Sequence, residues 1–298
     1  MNSALIILNP EAGRGKGRAL ERRLITAAHA NGCKAEVRTT RHRGHDAELA
    51  AEARRDGWPM VIAVGGDGTV HGAANGLLAD GPTDVVLGHV PIGTGNDYAR
   101  TIGMPRARVE QNLATVLQAV PRPFDVGRAG GRFFVNALGA GFDAEVVRQT
   151  DRMRHLKGFP LYLVGVYKTF GSFRAPELEI VASEHHERGR MMLCEVAIGP
   201  TVGGGFRLTP DAVPDDGLFD VCVVRRVGVI MFLRYLPSVV RGTHTALPEV
   251  SVFRSAQVTI TAVSAPLLLH LDGELRRPEG DTITVEILPR YLRVACGY

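Results

Sequence analysis

The chain has 298 residues, 45% of them hydrophobic and 22% charged, which is enough to bury the cores of two ordinary globular domains. Its formal net charge of +4 is modest and no basic helix or nucleic-acid module accompanies it, which argues against a nucleic-acid partner. The four cysteines form no C-x-x-C pair, so we expect reduced thiols. No apolar run approaches the roughly 18 residues of a membrane span and no signal peptide is recognisable. We therefore expect a cytoplasmic protein without a transmembrane segment, at most peripheral at the inner face of the membrane.

The stretch 61–78 combines a strand, a glycine-rich turn and a helix. Residues 61–64 are apolar, Gly65, Gly66 and Gly68 turn the chain, and apolar residues then recur at helical spacing up to Leu78. Glycines let a ligand approach the backbone, and the first N–H groups of a helix attract anions. This pattern favours a phosphate site with Asp67 beside a metal ion. The alternative is a turn that only reverses the chain.

Strands and helices alternate through the first 120 residues. The pattern predicts strands at 4–8, 34–39, 61–64 and 85–90, with helices around 20–28, 47–55 and 70–78. Such a chain forms a parallel sheet, whose ligands bind at the carboxyl ends of the strands. Three loops, 9–17, 65–69 and 93–97, follow strands and should line one crevice. The first is rich in glycine and cations but matches neither G-x-x-x-x-G-K-[ST] nor G-x-G-x-x-G.

The pattern changes after 121–123 to short β-type runs, several with period two. Strands are predicted at 132–138, 178–182, 191–198, 218–224, 251–253, 257–262, 267–271 and 282–287. This favours an antiparallel sheet or sandwich. We expect an α/β nucleotide-binding domain at 1–125 and a β-rich acceptor domain at 126–298, with a last strand at 290–296 that returns to either domain.

Two helical stretches, 156–173 and 229–240, interrupt the β pattern. The second combines apolar residues with Arg225, Arg226, Arg234 and Arg241. One interpretation is an interfacial helix on anionic lipid headgroups. The other, favoured by sequence alone, is an ordinary core-facing helix with solvated arginines.

The loops taken together resemble one family. Gly-Gly-Asp-Gly-Thr at 65–69, followed by Pro-Ile-Gly-Thr-Gly-Asn-Asp at 91–97, is similar to the catalytic domain of diacylglycerol, sphingosine and ceramide kinases and their bacterial soluble lipid-kinase relatives. Further signatures are Asn9-Pro10 with Gly13, 134–136, 139–144, 203–206, 210–212, 215–221 and Leu-Asp-Gly-Glu at 271–274. NAD kinases share the first loop alone, and 93–97 together with Asp-Gly-Glu separates them.

The resemblance implies a Rossmann-like α/β domain of the NAD kinase and phosphofructokinase type, an antiparallel β-sandwich, and an active site in the cleft between them. It implies ATP as co-substrate, Mg²⁺ as cofactor and a lipid substrate at the membrane surface, most simply diacylglycerol phosphorylated to phosphatidic acid in phospholipid biosynthesis. The oligomeric state is left open between a monomer and a homodimer.

Individual roles follow from the same resemblance. Glu274 is the expected general base and Asp67 the expected catalytic Mg²⁺ carboxylate. Asp216, with backbone carbonyls near Val213 and Leu218, corresponds to a second, structural Mg²⁺ site, although an Asp-Asp-Gly turn alone indicates only a hairpin. Asp125 is expected to support the metal network. The expected nucleotide-binding residues are Asn9, Pro10, Gly13, Thr40, Gly65, Gly66, Asp67, Gly68, Thr69, Gly93, Thr94, Gly95 and Asn96.

Several assignments stay open at this point. The segment 39–47 is one residue longer than the family pattern, so Thr39 and Thr40 compete for the nucleotide contact. Asp272 either orients Glu274 or simply forms a turn, and His270 is expected to be packed rather than catalytic. Phe142, Phe159, Phe206 and the helix around 231–232 are candidates to line a lipid groove. Other functions to weigh are a kinase of a sphingoid base, ceramide or phosphatidylglycerol, an NAD kinase-like enzyme, and a silent lipid- or nucleotide-binding relative.

Overall fold

The computed structural model describes residues 3–105, 107–150, 169–170, 173–264 and 266–298. The chain divides into two compact units: unit 1 comprises Met1–Val126 with Arg290–Tyr298, and unit 2 comprises Gly127–Pro289. The assignment of nucleotide binding to 1–125 and of the lipid acceptor to 126–298 stays a prediction.

Unit 1 alternates strands with helices. In chain order its elements are β1 (Ser3–Leu8), α1 (Ala12–Gly15), a 3-10 turn (Lys16–Ala19), α2 (Glu21–Ala30), β2 (Lys34–Thr39), α3 (His45–Arg55), β3 (Met60–Gly65), α4 (Asp67–Leu78), β4 (Val86–Pro91), α5 (Asp97–Thr101) and α6 (Val109–Gln118). The strands pair in parallel in the order β2-β1-β3-β4. The apolar runs of β1 and β3 are buried, as expected for parallel strands covered by helices.

Helices α3 and α4 lie unusually close to each other. A Cβ atom on Gly76 of α4 would overlap with the carbonyl oxygen of Ala47 in α3, and a Cβ on Gly72 would overlap with the Asp46 carboxylate. The two glycines therefore allow the backbone of α3 to lie directly on α4, the helix that begins at Asp67.

The last residues of the chain complete unit 1. Val294 pairs in parallel with Leu87 of β4, and Ala295 N–H donates to the carbonyl of Leu87 at 2.9 Å. Gly297 N–H donates to Ile102 at 2.8 Å, and the Tyr298 hydroxyl donates to the carbonyl of Thr101 at 3.3 Å. Residues 294–298 thus support β4 and α5, which flank the loop at 92–96.

Unit 2 is mainly antiparallel. The chain enters it along β5 (Arg122–Ala129) and continues through β6 (Arg132–Phe134), β7 (Ala137–Gly141), α7 (Phe142–Thr150), β8 (Glu177–Ala182), β9 (His186–Ala197), β10 (Phe219–Arg225), α8 (Val229–Arg241), a 3-10 turn (His244–Ala246), β11 (Val250–Ser255), β12 (Gln257–Ala262), β13 (Leu269–Leu271), β14 (Glu274–Arg276) and β15 (Thr282–Val294).

The strands of unit 2 form a sandwich. One sheet has the order β14-β13-β7-β9-β10-β11, and the other joins β9, β8, β12 and the first part of β15. Strand β9 belongs to both, because His186–Arg190 pairs with β8 and the rest with β7 and β10. Side chains from both sheets share one core, which includes Phe134, Ile180, Val196, Val221 and Ile260.

The predicted fold class is confirmed: unit 1 is parallel α/β and unit 2 is an antiparallel sandwich. Some elements differ. The predicted strand 132–138 breaks at Val135 and Asn136, whose N–H groups bind the Asp272 carboxylate. The predicted strands 282–287 and 290–296 are one strand, β15, despite the positive φ of 54° at Arg290. The loop 11–18 contains helical turns, and α6, α7, β5 and β14 were not predicted. Most of the predicted helix 156–173 lies outside the described residues.

Among the described residues, no helix combines the length and the apolar character needed to span a membrane.

Candidate active site

Three loops of unit 1 are bound to one another at the carboxyl ends of their strands. Asn9, after β1, donates from Nδ2 to the Thr69 hydroxyl at 3.1 Å and from its backbone N–H to Val64 of β3 at 3.0 Å. Gly93, after β4, donates its N–H to the carbonyl of Gly65 at 3.1 Å. The structure therefore brings the loops 9–17, 65–69 and 93–97 together within this unit.

Asp67 lies at the first position of α4, where the helix dipole and backbone N–H groups favour an anion. Its Oδ1 accepts the N–H of Tyr98 at 3.0 Å, which connects the second loop to α5. A Cβ on Gly93 would overlap with the Cα of Gly66, so two loop backbones meet where neither carries a side chain. This bare backbone beside a half-buried carboxylate fits a nucleotide phosphate with Mg²⁺, which prefers oxygen ligands.

The remaining predicted nucleotide residues lie on the same loops. Thr94 is exposed, whereas Thr69 is buried and its hydroxyl accepts from Asn9, so it joins two loops. Asn96 has a φ of 54° and donates from Nδ2 to the carbonyl of Gly93 at 3.0 Å. Thr40 donates its N–H to Leu8 at 2.9 Å, directly beside the start of the first loop. Pro10, Gly13, Gly65, Gly66, Gly68 and Gly95 complete the backbone of these loops, with a positive φ of 61° at Gly13. Their nucleotide contacts stay predictions.

The predicted metal residues away from Asp67 have protein partners. Asp125 is buried, and its Oδ1 accepts the N–H of Arg290 at 2.7 Å, so it anchors the chain where β15 returns to unit 1. Its role in a metal network stays a prediction.

Asp216 lies in a turn of unit 2 between Val213 and Leu218. Its Oδ1 accepts the N–H of Leu218 at 3.0 Å, and its Oδ2 lies 3.6 Å from Arg254. Arg254 also contacts the buried Asp220 at 3.4 Å, and burial raises the pKa of Asp220 although Arg254 opposes this. The positive charge of Arg254 thus already lies beside the carboxylates of Asp216 and Asp220. The second Mg²⁺ site at Asp216, Val213 and Leu218 stays a prediction.

Glu274, the predicted general base, begins β14 and is half-buried at the end of a tight β-hairpin. The preceding Asp272 accepts N–H groups from Val135, Asn136 and Ala137 at 2.8–3.0 Å. Its φ of 49° is the left-handed conformation of a turn. Asp272 therefore forms the turn and also fixes it to the start of β7, which positions the backbone that carries Glu274.

A buried cluster lies behind this hairpin. His270 of β13 and Asp143 of α7 are 2.8 Å apart, and ligand atoms of Asp143, Glu195 and His270 all lie within 4.8 Å of one another. Gly139 pairs with both Glu195 and His270 across the sheet. A Cβ there would overlap with the Asp143 carboxylate. The absence of a side chain at Gly139 leaves the space that Asp143 occupies.

Hydrogen bonds connect this cluster to the turn that precedes Glu274. Gly273 N–H lies 3.3 Å from His270 Nδ1, so in the tautomer that satisfies both contacts Nε2–H donates to Asp143. Burial alone would raise the pKa of Asp143, but the interaction with His270 outweighs it, with help from Ala144 N–H, and lowers the pKa. A buried carboxylate is thus linked through one histidine to the residue before Glu274.

An apolar cavity opens in unit 2 beside the same carboxylate. Its walls are Phe142, Leu208, Val224 and the inner face of α8, which includes Phe232, Leu236 and Val239. Its lining residues with ionisable side chains are Asp143, Tyr235 and His244. Phe206, a candidate for the lipid groove, also lines this cavity, whereas Met231 is exposed and Phe159 lies outside the described residues. The cavity suits an apolar ligand that ends in a polar group.

Two family models match the chain. The diacylglycerol kinase catalytic domain matches residues 3–129, and the YegS C-terminal NAD kinase beta sandwich-like domain matches residues 136–296. The chain belongs to the diacylglycerol kinase and YegS-like lipid kinase family. The kinase family uses ATP as its phosphoryl donor, and its α/β and sandwich halves correspond to the two kinds of architecture described above.

Relatives of this lipid kinase family extend over nearly the whole chain. A protein of Bacillus subtilis named diacylglycerol kinase is 31% identical over 277 residues, covering 92% of this chain and 90% of the relative. A Pseudomonas fluorescens protein named "Probable lipid kinase YegS-like" is 32% identical over 278 residues, covering 92% and 89%.

Solved structures show the same fold. A diacylglycerol kinase from Bacillus anthracis has a TM-score of 0.75 at 20% identity, covering 99% of this chain and 96% of that one. An NAD kinase from Archaeoglobus fulgidus in complex with ATP has a TM-score of 0.55 at 13% identity, covering 100% and 94%. At these identities the likeness concerns the fold alone.

Three residues of the hydrogen-bonded loops and of the buried cluster were not singled out in the sequence. Asp143 and Glu195 received no role, although Asp143 stands in the motif at 139–144. Arg100, which bonds to the carbonyl of Gly95 at 2.8 Å and to Asp97 at 2.9 Å, was also missed. Its spacing of three residues from Asp97 at the start of a short helix was the available signal. No local signal connects Glu195 with His270.

Proposed function

We propose that this lipid kinase transfers the γ-phosphoryl group of ATP to the hydroxyl of a membrane lipid, with diacylglycerol giving phosphatidic acid. One observation carries the proposal: the apolar cavity of unit 2 is lined by Asp143, which is linked through His270 and Gly273 to Glu274. An acyl chain in the cavity would leave its polar end near a carboxylate network that leads to the proposed base.

Unit 1 supplies the nucleotide half of the proposed site. The loops 9–17, 65–69 and 93–97, which are hydrogen-bonded to one another, would hold the phosphates through backbone N–H groups and through Thr94 and Asn96. Asp67 would hold Mg²⁺, directly or through water, and Mg²⁺ when bound neutralises phosphate charge. The contact between Asp67 Oδ1 and Tyr98 N–H keeps that carboxylate in a defined position.

Unit 2 supplies the acceptor half. Glu274 takes the proton of the lipid hydroxyl while the hydroxyl oxygen forms a bond to the γ-phosphorus and the bond from that phosphorus to the leaving ADP oxygen breaks. Asp272 and His270 act by positioning, because they fix the turn on which Glu274 lies.

Diacylglycerol is the acceptor favoured by the name of the Bacillus subtilis relative. An apolar cavity selects chains rather than headgroups, so a sphingoid base, ceramide or phosphatidylglycerol is the second candidate. A kinase assay with purified protein, ATP, Mg²⁺ and each lipid in dispersion decides among them. NAD in the same assay tests the NAD kinase-like alternative. A labelled lipid product supports the proposal, and no product from any of the lipids would refute it.

The Glu274→Gln variant tests the assigned base. We expect kcat to fall by about 10²–10⁴-fold because the amide cannot accept the proton, while the Kd for ATP stays unchanged. ATP affinity is measured by calorimetry beside the kinase assay. Glu279→Gln, at an exposed position three residues after the end of β14, is the matched control and should keep full activity. Full activity in Glu274→Gln would remove this residue from the mechanism, and a wild-type chain inactive toward every acceptor would support a silent relative.

A further inference from the structure

Helix α8 is apolar on two faces. On the inner face, Leu236 and Val239 pack against one buried cluster and Phe232 against another, and all three line the apolar cavity. This inner face accounts for the apolar spacing expected of a core-facing helix. It does not account for the remaining apolar residues of the helix.

The outer face of α8 exposes large apolar side chains to solvent. Ile230 is 86% exposed, Leu233 is 56% and Val229 is 53%, and Val240, the penultimate residue of the helix, is 40% exposed. These positions recur at helical spacing and form one stripe. A surface helix of a globular protein normally carries polar residues on this side.

Arginines border this stripe. Arg234 and Arg241 are exposed on the same helix, and the exposed Arg226 precedes it. The segment 226–243 contains no Asp or Glu. Two acidic residues that contact this region already have partners. Glu187 lies 2.6 Å from Arg225, and Glu249 accepts from the Tyr235 hydroxyl at 3.0 Å. The outer face therefore combines apolar area with arginines that have no acidic partner among the residues that the structure describes.

We infer that the outer face of α8 docks unit 2 on an anionic lipid bilayer. Ile230, Leu233 and Val229 would enter the headgroup boundary while Arg234 and Arg241 contact lipid phosphates. The inference rests on the proposed function in one respect: the cavity on the inner face of the same helix would receive the membrane-borne acceptor.

The same charges disfavour a second copy of this chain as the occupant. In a two-fold interface the same patch meets itself, so arginines bordering α8 would approach those of the other copy. An anionic bilayer instead offers many phosphates to the same arginines.

The test is sedimentation of the purified full chain with vesicles of phosphatidylcholine or of an equimolar mixture with phosphatidylglycerol. The wild-type chain should bind the mixed vesicles more tightly, and added salt should weaken that binding. Arg234→Gln/Arg241→Gln should weaken it by about 25-fold, about fivefold for each arginine. Ile230→Gln/Leu233→Gln should weaken it by at least about tenfold. The matched control Arg22→Gln/Arg55→Gln removes two exposed arginines of unit 1 and should change binding by less than about twofold.

The readout separates this inference from the proposed function, because vesicle binding needs no catalysis. With a short-chain diacylglycerol dissolved as monomer, both α8 variants should keep the wild-type rate, since none of the four side chains lines the cavity. If the chain phosphorylates no lipid, the proposed function fails and the vesicle result still decides the inference. Wild-type vesicle binding by both variants overturns the inference. So does a dimer in sedimentation velocity that Ile230→Gln/Leu233→Gln dissociates without a change in vesicle binding.

Discussion

Gly139 makes room for a buried charge in unit 2. The carboxylate of Asp143 occupies the space that a side chain at Gly139 would fill, and it meets His270 on one side and Glu195 nearby. A buried carboxylate is stable only with good partners, which His270 and Ala144 N–H provide. The three ionisable residues come from α7, β9 and β13, so no local pattern in the chain could predict this cluster.

His89 is the buried titratable residue with the clearest consequence for stability. It is fully buried on β4, with Nδ1 3.1 Å from the carbonyl of Ala63, and burial lowers its pKa from 6.5 to about 4. Between pH 6.5 and pH 4, the His89 imidazole is protonated in the unfolded chain but stays neutral in the folded chain. The contribution of His89 to the free energy of unfolding is therefore fully present above pH 6.5 and decreases by about 1.4 kcal/mol per pH unit as the pH falls toward 4.

Between pH 6.5 and pH 4, the free energy of unfolding of His89→Gln should decrease by about 3 kcal/mol less than that of the wild type. The measurement is urea unfolding at several pH values, followed by the fluorescence of Trp58, the single tryptophan, which reports on unit 1. The exposed His29→Gln is the control and should leave the slope as in the wild type. An unchanged slope in His89→Gln would show that other groups cause the loss of stability.

At the scale of elements, local patterns predicted best where glycine and apolar spacing coincide. The pattern predicted β1, β2, β3, β4 and the loops after them within one or two residues. For β1, β3 and β4 the reason is that buried parallel strands are continuous apolar runs. β5 was missed because Pro121 and Pro123 indicate a break in the chain. The split between β6 and β7 depends on Asp272, far along the chain, and cannot be seen locally.

The contact between α3 and α4 gives a prediction for these elements. A Cβ at position 76 would meet the carbonyl oxygen of Ala47, which belongs to rigid backbone, so Gly76→Ala must push the helices apart. We expect a loss of about 1–3 kcal/mol in the free energy of unfolding of unit 1, measured by urea titration with Trp58 fluorescence.

The control for this substitution is Ala79→Ser, which also adds one heavy atom but at the exposed end of α4. It should stay within about 0.5 kcal/mol of the wild type. Equal stability of Gly76→Ala and the wild type would show that α3 and α4 adjust their spacing without cost.

For the whole molecule, unit 1 is discontinuous in sequence. Its sheet and helices come from the first 126 residues, yet 290–298 belong to it as well. The chain pattern predicted a strand at 290–296 but not its partner, because pairing between residues about two hundred positions apart leaves no local trace. The same limit applies to the proposed site, whose nucleotide loops were identified from short motifs while the cluster behind Glu274 was not.

Because the last residues of the chain belong to unit 1, we expect removal of residues 295–298 to destabilise β4 and α5. The truncation deletes the hydrogen bonds from Ala295 to Leu87 and from Gly297 to Ile102, and the packing of the Tyr298 ring against Gly103. At about 1 kcal/mol for each hydrogen bond and a similar amount for the ring, amide exchange in β4 and α5 should accelerate by about 10²-fold. Because the loop 93–97 lies between β4 and the end of α5, ATP affinity should fall as well.

Hydrogen exchange followed by mass spectrometry resolves these peptides from those of β9 and β10 in unit 2, which should keep their protection. Tyr298→Phe loses only the hydroxyl bond to Thr101 and should accelerate exchange by less than about tenfold. A truncated chain that loses protection equally in β4 and β9 would show that the two units unfold together, and unit 1 would then have no separate stability for its C-terminal residues to support.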